Sequence, residues 1–456
     1  MHSDDTIAAI STPPGRGGIG VVRLSGPASL GIATSIFRAE SGGETLPNRA
    51  QFGRAIDAVT GEIVDEVILT YFKSPRSYTG EDVVEISCHG SPIILMRVLQ
   101  LAIEREARVA EPGEFTFRAF ANKRIDLAQA QAVRDMINAQ TQYQARVATR
   151  QLEGNLSKRL TPLKELLVDV IVHLESSIEF VEDDISPETA SGLLAKLERV
   201  INELNSIADS FSFGRYVKEG FDLAIVGRPN VGKSSVFNRL IGSDRAIVTE
   251  LPGTTRDALY ETTSISGVPV RLIDTAGIRE TTDLIESIGI TRSRTAIAEA
   301  DISLLVLDAA EPLTDGDVSL LNHVSQERRI IALNKTDLPR KLESESIPAY
   351  AGEVIRISAL TGEGFNSLTG TLLLRLGGDV AIERDDLMLT DARQHAALRK
   401  AIEQLRDARE LLSQRELEEI VLLRLRGALA ALGEITGETL TEDILGQIFS
   451  TFCIGK

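Results

Sequence analysis

The apolar run Phe221-Asp222-Leu223-Ala224-Ile225-Val226 passes directly into Gly227-Arg228-Pro229-Asn230-Val231-Gly232-Lys233-Ser234. That junction constrains the fold more than any other part of the chain. A short buried strand meets a G-x-x-x-x-G-K-[ST] loop that opens a helix, the first step of a parallel βα sheet. The glycines let the main chain curl, and the successive N–H groups of Val231, Gly232, Lys233, Ser234 and Ser235 converge with the helix N-terminus into an anion cradle. In such a loop the lysine reaches the β- and γ-phosphates of a nucleotide and the next hydroxyl ligates Mg2+, roles that fall to Lys233 and Ser234.

The same strand-end logic recurs four times. Residues 270–273 run into Asp274-Thr275-Ala276-Gly277, where Asp274 is placed to hold the Mg2+ water shell and the Gly277 N–H to sense a γ-phosphate. Residues 302–307 read as another buried strand. Residues 329–333 run into Asn334-Lys335-Thr336-Asp337, and residues 354–357 into Ser358-Ala359-Leu360. Ligands of open α/β sheets sit outside the carboxyl ends of the strands, so the order and spacing are those of a GTPase. Base choice follows from Asp337, whose carboxylate accepts from guanine N1–H and the 2-amino group, neither of which adenine offers. The Lys335 stem can cover the base, and Ser358 and Ala359 can approach its O6 side.

Two departures bear on mechanism. A Ras-like enzyme carries Gln just after its D-x-x-G motif to orient the attacking water; here Ile278 stands there, so water positioning and charge neutralisation come from elsewhere. Asn230 carries a side-chain oxygen able to ligate a monovalent cation, although spacing alone equally fits a turn-stabilising residue. The turn-rich stretch Thr249-Glu250-Leu251-Pro252-Gly253-Thr254-Thr255-Arg256-Asp257 has the character of a loop that orders around a γ-phosphate, and Thr255 can complete the Mg2+ shell.

At roughly 100–200 residues per domain, 456 residues predict two to four domains. Residues 1–120 read as a small α+β domain, with strands at 19–24 and 67–72 and a helix at 92–102. Helical periodicity fills 121–216 through Leu163, Leu167, Val170, Ile171 and Leu174, then Leu193, Leu197, Val200 and Leu204, and Thr161-Pro162 predicts a helix start. Residues 217–376 alternate strands and helices. Periodicity returns in 377–456 through Leu398, Ile402 and Leu405, then Leu417, Ile420, Val421 and Leu425, with Gly377-Gly378 as an exit hinge. An α/β unit between two helical segments predicts an insertion into a bundle, since either half-bundle alone leaves an apolar stripe bare. Lys and Arg number 49 against 66 Asp and Glu, a net charge of −17, and each of the four segments is acidic. That excludes a broad electrostatic nucleic-acid footprint.

These motifs, with Thr12-Pro13-Pro14-Gly15-Arg16-Gly17-Gly18-Ile19-Gly20, Tyr78-Thr79-Gly80-Glu81-Asp82, Pro112-Gly113-Glu114-Phe115 and the terminal Phe452-Cys453-Ile454-Gly455-Lys456, closely resemble the MnmE (TrmE) family of tRNA-modification GTPases over essentially the whole chain. The resemblance implies a multidomain α/β + α protein: an N-terminal α+β domain that binds tetrahydrofolate and dimerises, a discontinuous helical domain, and an inserted Ras-like P-loop G domain. Matched by motif, Asn230, Thr249, Leu251 and Thr254 look like a K+ site, some through main-chain oxygens, and Ser234 and Thr255 like Mg2+ ligands. Glu286 occupies the place of the catalytic acid, with Lys233 and Arg256 in the catalytic set, and Glu250, Pro252 and Gly253 extend the nucleotide contacts. For folate, Arg23, Glu81 and Lys456 match contact positions, as does Arg124, where many members carry Lys. The resemblance further implies that K+ takes the part of an arginine finger as two G domains of a homodimer meet face to face. The implied reaction adds an aminomethyl or carboxymethylaminomethyl group at C5 of the wobble uridine of certain tRNAs. It uses 5,10-methylene-tetrahydrofolate (the 5-formyl form also fits that site) and an MnmG-type partner subunit that carries FAD and NADH, in a heterotetramer or larger assembly. No G-x-G-x-x-G follows a strand in this chain, so flavin redox falls to the partner, and the acidic balance assigns most tRNA contact to it as well.

Cys88 and Cys453 cannot build a disulfide framework or a four-thiolate zinc site. Cys88 reads as a core or strand-end residue, and Cys453 as a structural or substrate-positioning tail residue. Glu182-Asp183-Asp184 reads as a solvated helix end. The acidic start lacks the basic and apolar regions of a signal peptide, and no apolar run approaches the ~20 residues of a membrane span, so a cytoplasmic protein is expected. Two alternatives are a regulatory ribosome-assembly GTPase, disfavoured by the want of a basic module, and a folate-binding scaffold with a vestigial GTPase, disfavoured by intact Lys233, Ser234, Asp274 and Asp337.

Overall fold

The computed structural model describes residues 5–57, 59–179, 187–243, 260–274, 300–342, 347–348, 352–378 and 388–455. The chain forms two compact units. One comprises Met1–Arg134, Leu152–Thr161 and Ala430–Lys456; the other comprises Asp135–Gln151 and Pro162–Leu429.

The first unit is built on seven strands: β1 (Ile7–Ile10), β2 (Gly17–Ser25), β3 (Phe37–Ala39), β4 (Ala50–Ile56), β5 (Ile63–Phe72), β6 (Val83–Gly90) and β7 (Arg108–Val109). Their order is β3-β4-β5-β6-β2-β1-β7, antiparallel except where β7 runs parallel to β1. Alternation decides which face is inside. Val67, Leu69 and Tyr71 of β5 and Val84, Ile86 and Cys88 of β6 point into one core, where Leu95, Val98 and Leu101 of the helix Pro92–Ile103 meet them. Pro92 sits at the first position of that helix, where its missing N–H costs nothing. A second, aromatic cluster joins the C-terminal helix Glu442–Ser450 to the helix Glu114–Ala121. The ring of Phe449 meets Phe117 edge-on at 5.3 Å and lies 5.2 Å from Phe452.

The second unit holds a six-stranded sheet: β8 (Phe221–Val226), β9 (Tyr260–Ile265), β10 (Val268–Asp274), β11 (Ile302–Asp308), β12 (Arg329–Asn334) and β13 (Val354–Arg356). The order is β13-β12-β11-β8-β10-β9, all parallel except the antiparallel edge strand β9. The five expected strands are present. The missed strand, β9, is rich in Thr and Ser and has no continuous apolar run to announce it. The chain adds β10 on one side of β8 and then crosses to add β11 on the other, so strand order reverses between β8 and β11, where such sheets bind ligands.

The helices of this unit include Pro187–Asp209 and Ala392–Ser413, which pack through Leu197, Val200, Ile201 and Leu204 on one and Leu398, Ala401, Ile402 and Leu405 on the other, all buried. Two helical expectations are corrected. The helix expected to start at Thr161-Pro162 begins at Asn155 and runs to Glu179 with Pro162 inside it. Thr161 does not cap; its hydroxyl donates to the Ser157 carbonyl one turn back, at 2.8 Å. In the helix Glu418–Thr436 the buried row is Val421, Leu425 and Ala428, while Leu417 precedes the helix and it and Ile420 are exposed. Where the chain leaves the nucleotide-binding insert, Gly377 passes so close to the entering helix Phe211–Glu219 that an added Cβ would lie 3.0 Å from the Ser212 hydroxyl. Among the described residues no helix is long and apolar enough to cross a membrane.

Candidate functional site

The loop between β8 and the helix Lys233–Ser243 is shaped by positions that tolerate no side chain. Gly227 has φ +155°, and a Cβ there would stand 2.5 Å from the Val306 carbonyl; Gly232 has φ +97°, and a Cβ would stand 2.3 Å from Asn334 Nδ2. Asn230 takes the left-handed conformation at φ +66°, uncommon outside glycine and least costly for Asn. The loop turns so that Ser234 and Ser235 are exposed at the start of the helix, while the Lys233 ammonium donates to the Arg228 carbonyl at 2.8 Å. Arg228 is anchored in turn by Asp317 at 2.9 Å and Glu311 at 3.2 Å.

The loops expected to read the base stand at the ends of the neighbouring strands. Asn334 Nδ2 donates to the Val231 carbonyl at 2.9 Å, and Asn334 Oδ1 accepts the Ala359 N–H at 3.0 Å. The side chain is buried, so Asn334 ties the phosphate loop to the Ser358-Ala359-Leu360 loop. Asp337 accepts from the Ser358 hydroxyl at 2.5 Å, which fixes one carboxylate oxygen and orients the other. Thr336 is held through its hydroxyl on the Ile357 carbonyl at 3.0 Å. Lys335 donates to Asp308 at 2.6 Å and to the Asn230 carbonyl at 2.8 Å. Arg239 donates to the carbonyls of Ala359 at 3.0 Å and Leu360 at 3.1 Å, bracing that loop from behind. Asp308 and Arg239 were not foreseen: each acts through partners remote in sequence.

For the metals, Ser234 offers an exposed hydroxyl beside the cradle, Asn230 an exposed amide, and Asp274 ends β10 opposite Ile225. Those oxygen donors suit hard cations. Thr249, Glu250, Leu251, Pro252, Gly253, Thr254, Thr255, Arg256, Thr275, Ala276, Gly277 and Glu286 lie outside the described residues, as do Lys456 and Glu182-Asp183-Asp184.

The folate candidates share the first unit. Arg23 pairs with Glu85 at 2.8 Å, lies over the rings of Tyr78 at 5.5 Å and Phe115 at 5.7 Å, and reaches the Gly455 carbonyl at 3.4 Å. Ser11 donates to that same carbonyl at 3.0 Å, so the tail docks beside β1 and β2. Glu81 accepts from Ser25 at 2.8 Å and Arg118 at 3.1 Å. The Arg124 stem lies against Gly80: a Cβ there would meet Arg124 Cγ at 3.2 Å. The structure thus brings Arg23 and the tail together and sets Arg124 beside the residue preceding Glu81.

Beneath them runs an ionic network that was also not foreseen. The buried Arg118 guanidinium serves Glu81, Asp5 and Glu114, and Arg108 serves Asp5 at 2.7 Å and Glu114 at 2.5 Å. Burial by itself pushes the Glu114 carboxyl up, but hydrogen bonds from Arg108, the Glu111 N–H and Arg118 outweigh it and hold the group below its ordinary range. Asp5 follows the same logic under Arg108 and Arg118. Burial, aided by the Asp65 charge, pushes the Cys88 thiol up to about 12, so it is an inert core residue; Cys453 is exposed.

Residues 6–124 match the family model for the GTP-binding protein TrmE N-terminus, and residues 127–453 match that for the MnmE helical domain. Proteins named tRNA modification GTPase MnmE are 50% identical over 100% of both chains in Koribacter versatilis and 44% identical over 99% of this chain and 100% of its counterpart in Aquifex aeolicus. One from Alkaliphilus metalliredigens is 43% identical over 100% of both. The G domain of a T. maritima FeoB iron transporter aligns with 34% of this chain, covering 98% of that domain at 26% identity and a TM-score of 0.27. With a sheet whose loops meet at the β8–β11 reversal and relatives matched from end to end, the chain is a GTP hydrolase and belongs to the MnmE (TrmE) family.

Proposed function

We propose that this GTPase works in tRNA modification, adding an aminomethyl or carboxymethylaminomethyl group at C5 of the wobble uridine together with an FAD-dependent MnmG-type subunit. The observation that carries the reading is the end-to-end likeness to proteins of that name, joined to a folate-candidate cluster in which Arg23, Glu81 and the docked tail share one unit. The proposed organisation is a folate-binding and dimerising domain at 1–120, helical segments at 121–216 and 377–456, and a G domain at 217–376. The protein works in the cytoplasm as a homodimer, and the partner carries most of the tRNA.

In this reading the phosphate-loop N–H groups bind the β- and γ-phosphates, and Lys233 leaves the Arg228 carbonyl to take a phosphate oxygen. Asp337 accepts from the guanine edge, Lys335 covers the base and Glu286 orients water. Ser234 and Thr255 hold Mg2+, and Asn230, Thr249, Leu251 and Thr254 hold K+. Bound there, the cations would supply positive charge to the γ-phosphate oxygens. Closure of two G domains completes each site, and reopening after hydrolysis passes through the helices.

Turnover of GTP in K+ against Na+ at equal ionic strength tests the alkali-ion assignment, with several-fold faster turnover in K+ expected and equal rates refuting it. Mass analysis of wobble uridines from cells lacking the protein tests the substrate. Loss of the C5 group is expected; an unchanged level of the modification alongside a ribosome-assembly defect would replace this reading with a ribosomal one.

A further inference from the structure

Lys335 is held at two points, and one of them belongs to none of the nucleotide loops. Asp308 closes β11, the strand beside the β8 reversal, and its side chain is only 6% exposed. Its carboxylate accepts the Ala310 N–H at 2.9 Å and the Lys335 ammonium at 2.6 Å, and that same ammonium donates to the Asn230 carbonyl at 2.8 Å. The chain of contacts therefore joins the base loop to the phosphate loop through a buried charge.

Two left-handed conformations meet at this tie. Asn230 at φ +66° and Lys335 at φ +65° are both left-handed non-glycine residues, which persist only where their surroundings over-determine them. The Lys335 ammonium links the two residues, and the charge-assisted bond it donates to a buried carboxylate is the strongest constraint placed on it. Without Asp308 the ammonium is free to swing to solvent, and Asn230 loses the donor that holds its carbonyl. Lys335 then has no fixed stem to lay over a guanine ring.

We propose that Asp308 is a positioning residue that sets the residence time of the guanine nucleotide, acting through Lys335 to lock the base loop onto the phosphate loop. It rests on guanine-nucleotide binding alone and not on the alkali ion, so it stands or falls apart from the K+ assignment.

The test uses the full-length protein and the release of a fluorescent GDP analogue chased by excess GDP, with thermal midpoints measured in parallel. Asp308→Ala is expected to release the analogue about tenfold faster, and Asp308→Asn roughly threefold faster, because the amide oxygen still accepts but carries no charge. The double variant Asp308→Ala with Lys335→Met is expected to release no faster than Lys335→Met alone, since both changes cut one chain of contacts. Release by Asp308→Asn at the wild-type rate overturns the proposal, as do effects of the two residues that multiply in the double variant. A lowered thermal midpoint with unchanged release also overturns it and leaves Asp308 a purely structural residue. If Asp308→Ala does not fold, the isosteric Asp308→Asn decides by the same criterion.

Discussion

Asn334 reaches Val231 with one end of its amide and Ala359 with the other, at 2.9 and 3.0 Å, so a single buried side chain spans the loops that follow β8 and β13. Neither contact is interchangeable: the carbonyl of Val231 needs a donor and the N–H of Ala359 needs an acceptor. An amide offers the two on separate atoms, whereas a hydroxyl has a single oxygen for both roles.

Replacing Asn334 with Asp keeps the acceptor and turns the donor into a buried negative charge facing a carbonyl. The loss is expected to exceed that of Asn334→Ala, which itself leaves two unsatisfied backbone groups at about 1–3 kcal/mol each. Titration with a fluorescent guanine nucleotide should show affinity falling at least tenfold for Asp, with Ala between it and wild type. Equal affinity in all three proteins would remove the strut.

Asp337 has one oxygen taken by Ser358, which leaves the other lobe of the carboxylate aimed by that bond. Asp337→Ala should weaken GTP by about tenfold or more and erase the preference for GTP over inosine triphosphate, which lacks the 2-amino group. Competition binding with the two triphosphates reads both effects. A retained preference would mean that the base is read elsewhere.

The Arg108, Glu114 and Arg118 cluster makes the first unit sensitive to acid. The folded pKa of Glu114 is depressed from 4.5 and that of Asp5 from 3.8, so their stabilisation is fully present above those values. It is lost as pH falls below them through the folded values. Thermal unfolding from neutral pH downward should show a steep fall in that window. Glu114→Gln should flatten the fall and lower stability at neutral pH by about 3 kcal/mol, because two guanidinium groups lose a buried partner. An unchanged pH slope in the variant would place the acid sensitivity elsewhere.

Cys88 is buried with its thiol pushed up to about 12, whereas Cys453 is exposed on the docked tail. Iodoacetamide at neutral pH should label Cys453 alone in the native protein and both cysteines in denaturant, as peptide mass mapping would record. Native labelling of Cys88 would show that the β6 core opens readily.

Much of the nucleotide-binding sheet was legible because buried parallel strands announce themselves as unbroken apolar runs that stop at polar loops. Residues 302–307 are such a run, and the matching strand Ile302–Asp308 is buried throughout. What escaped was carried by partners far apart. Asp308 looks like any strand-end carboxylate until Lys335, on the next strand's loop, is seen to reach it. Arg118 sits on a helix of mixed polarity, and its three carboxylates come from Asp5, Glu81 and Glu114. Pro162 misled for another reason: its residue type suits a first helical turn, but packing of Leu160 and Leu163, both buried, continues the helix through it.

The side-by-side passage of Gly377 and Ser212 has an architectural consequence. Because the module's entrance and exit form one narrow doorway, it could be excised and bridged with a few residues while the helices around it keep their company. A cross-link between the two positions would clamp that doorway shut while leaving the nucleotide loops untouched.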